Sequence, residues 1–303
     1  MIKVGRLIVE LLKWNSEKDN RKRRKTMPPY GKYKEKINIP YINDGDIHHQ
    51  FDVIYAPKEK RKGCCVIDIH GGAYIFGDKQ DNYNFMSIFV EQGYDVILVN
   101  YRLNDGKKLS TKDQVDDLAA CINCVAGHLE ELELDKDVFA ITGDSAGGHF
   151  AFIISEALLN KEVARKLGYK FKELPVVATL INCPVYDFEN VSKGTMYKSG
   201  QKRMFGRDFK DLSTFKLISP REYIESFKGA LFLSSCKQDF IGMHSQLLNQ
   251  DMQKKNNLYH FEYLDTDKKH VGHVHNILYL KQPEAIQVNN AMMDFIDLAM
   301  KQS

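Results

Sequence analysis

The chain has no apolar run approaching the ~18–20 uninterrupted residues that a membrane-crossing helix needs, so stable membrane insertion is not expected. It has no strong excess of charge either. Lys and Arg number 43 against 40 Asp and Glu, a net charge of +3. A dedicated nucleic-acid binder gathers a larger basic surplus on one element, and no nucleic-acid partner is expected. The one basic cluster, Arg21-Lys22-Arg23-Arg24-Lys25, reads as a solvated linker face. Internal repeats and low-complexity tracts are missing. The six cysteines lack the spacing of a disulfide framework, which a chain of 303 residues does not need. Several lie inside apolar runs, where a free cysteine acts as a small hydrophobe; a reducing, cytoplasmic setting is expected. Cys121-Ile-Asn-Cys124 has redox or zinc spacing, but it falls in a helical pattern and no second pair accompanies it.

The N-terminal stretch Met1 to Trp14 lacks a small-residue cleavage site, and Glu10 and Lys13 interrupt its apolar residues. Val4, Leu7, Ile8, Leu11 and Leu12 fall on one helical face. An amphipathic helix is expected there, packed on the body of the protein, followed by a basic linker through Met27-Pro28-Pro29-Tyr30.

From residue 36 a different pattern begins. Lys36 to Pro40 and Gln50 to Tyr55 read as short strands with Asn43-Asp44-Gly45-Asp46 turning between them. Cys64 to Ile69 is an apolar run broken only by Asp68, the pattern of a strand buried on both faces. Strand and helix then alternate: helix over Asn82 to Gln92, strand over Asp95 to Asn100, helix over Gln114 to Glu131, strand over Val138 to Thr142, helix over Ala146 to Leu159, strand over Val176 to Asn182. An irregular stretch fills about 185–226. Strand Ala230 to Ser235, helix Ser245 to Lys255, strand Tyr259 to Leu264 and helix Pro283 to Met300 complete the series. Such alternation predicts an α/β fold with a mainly parallel central sheet and helices on both faces. Residues 1–45 are expected to form a helix and linker belonging to a cap. Residues 46–303 would be the main domain, with a further cap insertion at about 185–226 over the carboxyl ends of the strands.

Gly143-Asp144-Ser145-Ala146-Gly147 lies between a buried strand and a helix. A serine on so tight a turn projects its hydroxyl above the sheet, and side chains at the flanking glycines would crowd it. The helix that follows aims its N-terminal amides at the same place. His70-Gly71-Gly72-Ala73 follows an earlier strand. Acyl transfer develops an oxyanion that preorganised N–H donors must meet; Gly71 and Gly72 are expected to supply two and Ala146 the third. A serine hydroxyl also needs a base. Chain order places it after Ser145, and His273 is selected from the loop after the last strand, with His270 and His275 as alternates; His149, inside a helix, reads as packing. Asp239 is the expected acid, Asp187 the alternate, and Asp265 and Asp267 read as solvated turn residues. Tyr74, Phe76, Phe205 and Phe209 read as packing that could also border a pocket.

On these motifs, with Val99-Asn100-Tyr101-Arg102-Leu103 and Ser219-Pro220, the chain resembles the hormone-sensitive-lipase-like branch of the α/β-hydrolases over roughly residues 50 to 300. The resemblance implies a triad of Ser145, Asp239 and His273, an oxyanion hole of Gly71, Gly72 and Ala146, and a cap built from the N-terminal helix and 185–226. Ala73 stands where the family often has a third glycine, His275 where an aromatic is frequent, and Asn104-Asp105-Gly106 replaces Ala-Pro-Glu. The activity implied is hydrolysis of small carboxylic esters, of acetyl-like chain length, through an acyl-enzyme, with no metal and no organic cofactor. Amide or peptide cleavage by the same triad, and a non-catalytic ligand-binding use of the fold, are the alternatives. A homodimer is left open.

Overall fold

The computed structural model describes residues 10, 13–14, 16–22, 24–25, 31–134, 137–188, 201–207 and 210–302. Eight strands form one sheet: β1 (Lys34–Pro40), β2 (Gln50–Tyr55), β3 (Cys64–Ile69), β4 (Asp95–Val99), β5 (Val138–Asp144), β6 (Val176–Asn182), β7 (Leu231–Cys236) and β8 (Tyr259–Leu264). Their spatial order is β1-β2-β4-β3-β5-β6-β7-β8. Pairing is antiparallel from β1 through β2 to β4 and parallel across the rest. The parallel part rests on five principal helices: α1 (Tyr83–Glu91), α2 (Thr111–Gly127), α3 (Ala146–Leu159), α4 (Gly242–Met252) and α5 (Pro283–Met300).

Continuous apolar strands arise because both faces are covered. Successive side chains of a strand point to opposite sides. Cys65, Ile67 and Ile69 join a core with Val115, Phe150 and Ile153 of α2 and α3. Cys64 and Val66 join the opposite core with Met86, Phe89, Met292 and Phe295 of α1 and α5. Every residue of β3, β4 and β7 is buried.

The strands lie where the residue pattern predicts them, to within two or three residues. The second long helix differs. It starts at Thr111, because Ser110 and Asp113 form a capping box, and it stops at Gly127, one residue before His128. The 185–226 stretch contains short helical pieces at Gln201–Phe205 and Leu212–Leu217 and a 3-10 turn at Pro220–Ser226. The apolar face Val4, Leu7, Ile8, Leu11 and Leu12, the Met27-Pro28-Pro29-Tyr30 linker, and Phe209 lie outside the described residues. All six cysteines are free thiols. No helix among the described residues is long and apolar enough to cross a membrane.

Candidate active site

The carboxyl ends of β3, β5, β6, β7 and β8 carry the loops of interest. Ser145 sits between β5 and α3 at φ 54°, ψ −115°, and its N–H donates to Asn182 O of β6 at 2.8 Å. A Cβ on Gly147 would fall inside the surface of Ile69 O, and one on Gly72 inside that of Phe76 O; glycine is what lets these backbones approach. Of the seven non-glycine residues with positive φ among those described, five stand on this rim: Ala73, Tyr74, Ser145, Cys183 and Val274. Each such conformation costs on the order of 1–3 kcal/mol, and clusters of them mark functional loops.

The loop after β3 is held by a carboxylate. Asp144 Oδ1 accepts from the Gly71 N–H at 2.9 Å and from Asn82 Nδ2 at 2.9 Å. The expectation that Gly71 and Gly72 together present free donors is therefore corrected at Gly71, whose amide is already committed. Among the described residues the Gly72 and Ala73 amides have no hydrogen-bond partner. Ala146 is the first residue of α3, where a helix leaves its N–H groups unsatisfied.

The structure brings Asp239 and His273 together. Asp239 lies in the loop after β7 and His273 in the loop after β8, and a bridge between Gln238 and Gly272 ties the two loops. His273 Nδ1 donates to Asp239 Oδ1 at 2.7 Å. That oxygen also accepts from the Ile241 N–H at 3.1 Å, and Oδ2 accepts from Ser235 Oγ at 3.2 Å. Burial alone would push the Asp239 carboxyl up, but the hydrogen bond and charge of His273, with the Ile241 amide and the Cys183 thiol, hold it below the usual carboxylate range. Phe240 packs on the His273 ring at 4.5 Å between centroids. Ser145 and His273 line one cavity of about 650 Å³, with Gly72, Ala73, Phe76 and Asp144. No hydrogen bond joins Ser145 Oγ to His273 among the described residues; unliganded sites commonly hold such a pair long and tighten it around substrate.

The alternates are placed elsewhere. His270 pairs with Glu284 at 3.1 Å, and His275 is buried. Neither lines the cavity. Asp187 is engaged by Arg221 at 2.8 Å, and Asp265 and Asp267 flank the exposed Lys237. His149 is a packing residue, its ring bonded to Tyr74 Oη at 3.1 Å and to Ile218 O at 2.6 Å. Tyr74 and Phe205 pack in the same ring cluster with Phe188, while Phe76 borders the cavity.

Two features escape the residue pattern. The basic cluster is not only a solvated face: Arg24 Nε donates to the buried Asp81 at 2.7 Å, and Lys22, with Ser16, Asp19 and Asn20, lines the cavity. The described residues of 185–226 do not line it; Phe188, Phe205 and Phe215 are buried and pack on one another instead. Cys183, at the end of β6, lies against the Asp239–His273 pair. Nothing in its apolar sequence context signals this, because the contact joins residues 56 and 90 positions apart.

Comparison with known proteins follows the same outline. The family model described as BD-FAE matches residues 51–252. LipM of Mycobacterium tuberculosis, a carboxylic ester hydrolase by name, is 29% identical over 163 residues, which is 50% of this chain and 37% of that protein. Esterase LipQ of the same organism is 27% identical over 218 residues, 70% of this chain and 51% of that protein. The chain thus spans about half the length, or less, of these curated relatives. Esterase B from Lactobacillus rhamnosis superimposes with a TM-score of 0.86 at 21% identity, covering 99% of this chain and 96% of that one. The likeness extends to the fold as a whole, an eight-stranded, mostly parallel sheet of the α/β-hydrolase type.

Proposed function

The chain belongs to the BD-FAE family, and from that footing we propose that it is a serine carboxylic ester hydrolase working through an acyl-enzyme. The observation that carries the reading is the 2.7 Å Asp239–His273 pair facing the same cavity as a serine held at positive φ. Asp239 accepts a hydrogen bond from Nδ1–H and so fixes the tautomer in which Nε2 is free to act as a base. His273 takes the Ser145 proton as Oγ attacks the ester carbonyl, then gives it to the departing alcohol. Water repeats the cycle and releases the acid. The oxyanion falls to Gly72, Ala73 and Ala146, since the Gly71 amide is held by Asp144.

Short acyl groups fit this reading. Esterase B was captured with a C4-C4 tributyrin phosphonate. The same triad also serves amides. A relative from Bos taurus named arylacetamide deacetylase, 28% identical over 59% of this chain, favours that chemistry as a second activity. The described residues Ser16, Asp19, Asn20 and Lys22 act as a lid piece on the cavity, whereas Lys34–Pro40, placed in the cap by the residue pattern, belongs to the sheet as β1. Free thiols throughout suit a reducing, cytoplasmic setting. The test is a chain-length series of nitrophenyl esters beside matched anilides. The account expects the highest kcat/KM on acetyl to butyryl esters and slower anilide cleavage. Failure to turn over any ester while cleaving anilides would transfer the protein to the second reading.

A further inference from the structure

We propose that Cys183, Asp239 and His273 form an inhibitory binding site for a thiophilic divalent cation, Zn²⁺ above all. The inference rests on the triad reading in one respect, that occupancy stops catalysis; the binding itself is independent of it. An acid and an imidazole in contact are what a triad requires. A thiol beside both is not.

The three donors come from three different loops, at the ends of β6, β7 and β8. The sulfur, a carboxylate oxygen and a ring nitrogen all lie within 4.8 Å of one another. Zinc binds S, N and O donors at about 2.0–2.3 Å in a tetrahedron, and sites with three protein ligands keep the fourth position for water. Such bonds set donors roughly 3.5 Å apart, so an ion would draw the sulfur inward and open the 2.7 Å Asp239–His273 contact. Donors of this mixture favour zinc over hard cations, which take oxygen alone.

The surroundings already hold the ligands in place, as supporting hydrogen bonds do in metal sites. The Val274 N–H points at Cys183 Sγ at 3.4 Å. Ile241 N–H and Ser235 Oγ hold the two oxygens of Asp239. Cys183 itself sits at φ 46°, a conformation kept only where neighbours over-determine it. Cys183 is buried, and the His273 side chain, 17% exposed, is the member that opens to the cavity; the ion enters past it.

Protons balance as follows. The thiol loses its proton to solvent as the S–Zn bond forms. Zinc takes the Nδ1 position, and that proton is exchanged through water onto Nε2, so the imidazole stays neutral. The two anionic ligands match the charge of the ion. With Nε2 now a donor, His273 cannot accept the Ser145 proton, and the nucleophile is silenced without being touched. Removal of the metal by a chelator restores the original tautomer.

Cobalt(II) added to the full-length protein tests the assignment, because a thiolate ligand produces a charge-transfer absorption that oxygen and nitrogen ligands do not. The band is expected in the wild type, displaced by Zn²⁺, absent in Cys183→Ala and Cys183→Ser, and retained in Cys124→Ala, the other thiol with metal-like spacing. In parallel, Zn²⁺ should inhibit ester hydrolysis reversibly. The inhibition should be at least ~10-fold weaker in Cys183→Ala, measured against that variant's own zinc-free rate. Circular dichroism and gel filtration check that both Cys183 variants are folded. A wild type without the band, or a band that survives Cys183→Ala, overturns the site. A band in a protein that hydrolyses no ester upholds the metal site and removes the esterase reading instead.

Discussion

Asp144 decides which amides face the cavity. The residue pattern shows a carboxylate inside the serine turn, but only the fold shows it reaching across to Gly71 and Asn82. This is why the donors expected at Gly71 and Gly72 shift toward Gly72 and Ala73. The contact between Asp239 and His273 follows from chain order, because a loop after the seventh strand meets a loop after the eighth. His273 lines the cavity and His270 and His275 do not, yet a run of three histidines within six residues carries no sign of which ring turns inward. The role of Asp239 makes a direct prediction. Asp239→Asn keeps the shape but accepts the wrong tautomer, and kcat should fall by about 10³–10⁴ with little change in KM. Steady-state kinetics on a nitrophenyl ester measure this; a loss of less than about tenfold would show that another carboxylate orients the base.

At the level of elements, strands were read better than helix ends and turns. Cys64–Ile69 announces itself because two covered faces demand a nearly unbroken apolar run, here interrupted only by Asp68. The start of α2 at Thr111 precedes the apolar period because Ser110 and Asp113 act as a pair, and a capping box lies outside that period. The turn over Lys79–Asn82 was not anticipated at all. It is anchored by a lysine that charge alone would put in water. Lys79 Nζ is buried and contacts both oxygens of Asp52 at 2.7 and 2.8 Å, fastening the turn that carries Asn82 to the edge of the sheet. Lys79→Met strands a buried carboxylate, and urea unfolding should show a loss of about 3–5 kcal/mol. A loss within ~0.5 kcal/mol would mean that Asp52 finds water or another partner.

For the whole molecule, stability against pH is set in part by a group far from the cavity. Glu156, inside α3, is fully buried, and among the described residues neither of its carboxylate oxygens has a hydrogen-bond partner. Burial pushes its carboxyl from 4.5 up to about 8. The folded state then holds a proton that the unfolded chain releases, so stability falls as pH rises from about 4.5 to about 8 and levels off above. At about 1.4 kcal/mol per pH unit the loss is on the order of 5 kcal/mol. Glu156→Gln removes this slope. Its Tm should exceed that of the wild type at pH 8, with the gap closing toward pH 4; equal gaps at both pH values would contradict the assignment.

The most direct test of the central claim is covalent. A fluorophosphonate should add one phosphonyl group to the wild-type chain, located by peptide mass spectrometry on the segment containing Ser145, with hydrolysis lost in step. Ser145→Ala should take up none and retain no esterase activity. Labelling of another serine, or undiminished activity in Ser145→Ala, would contradict the account.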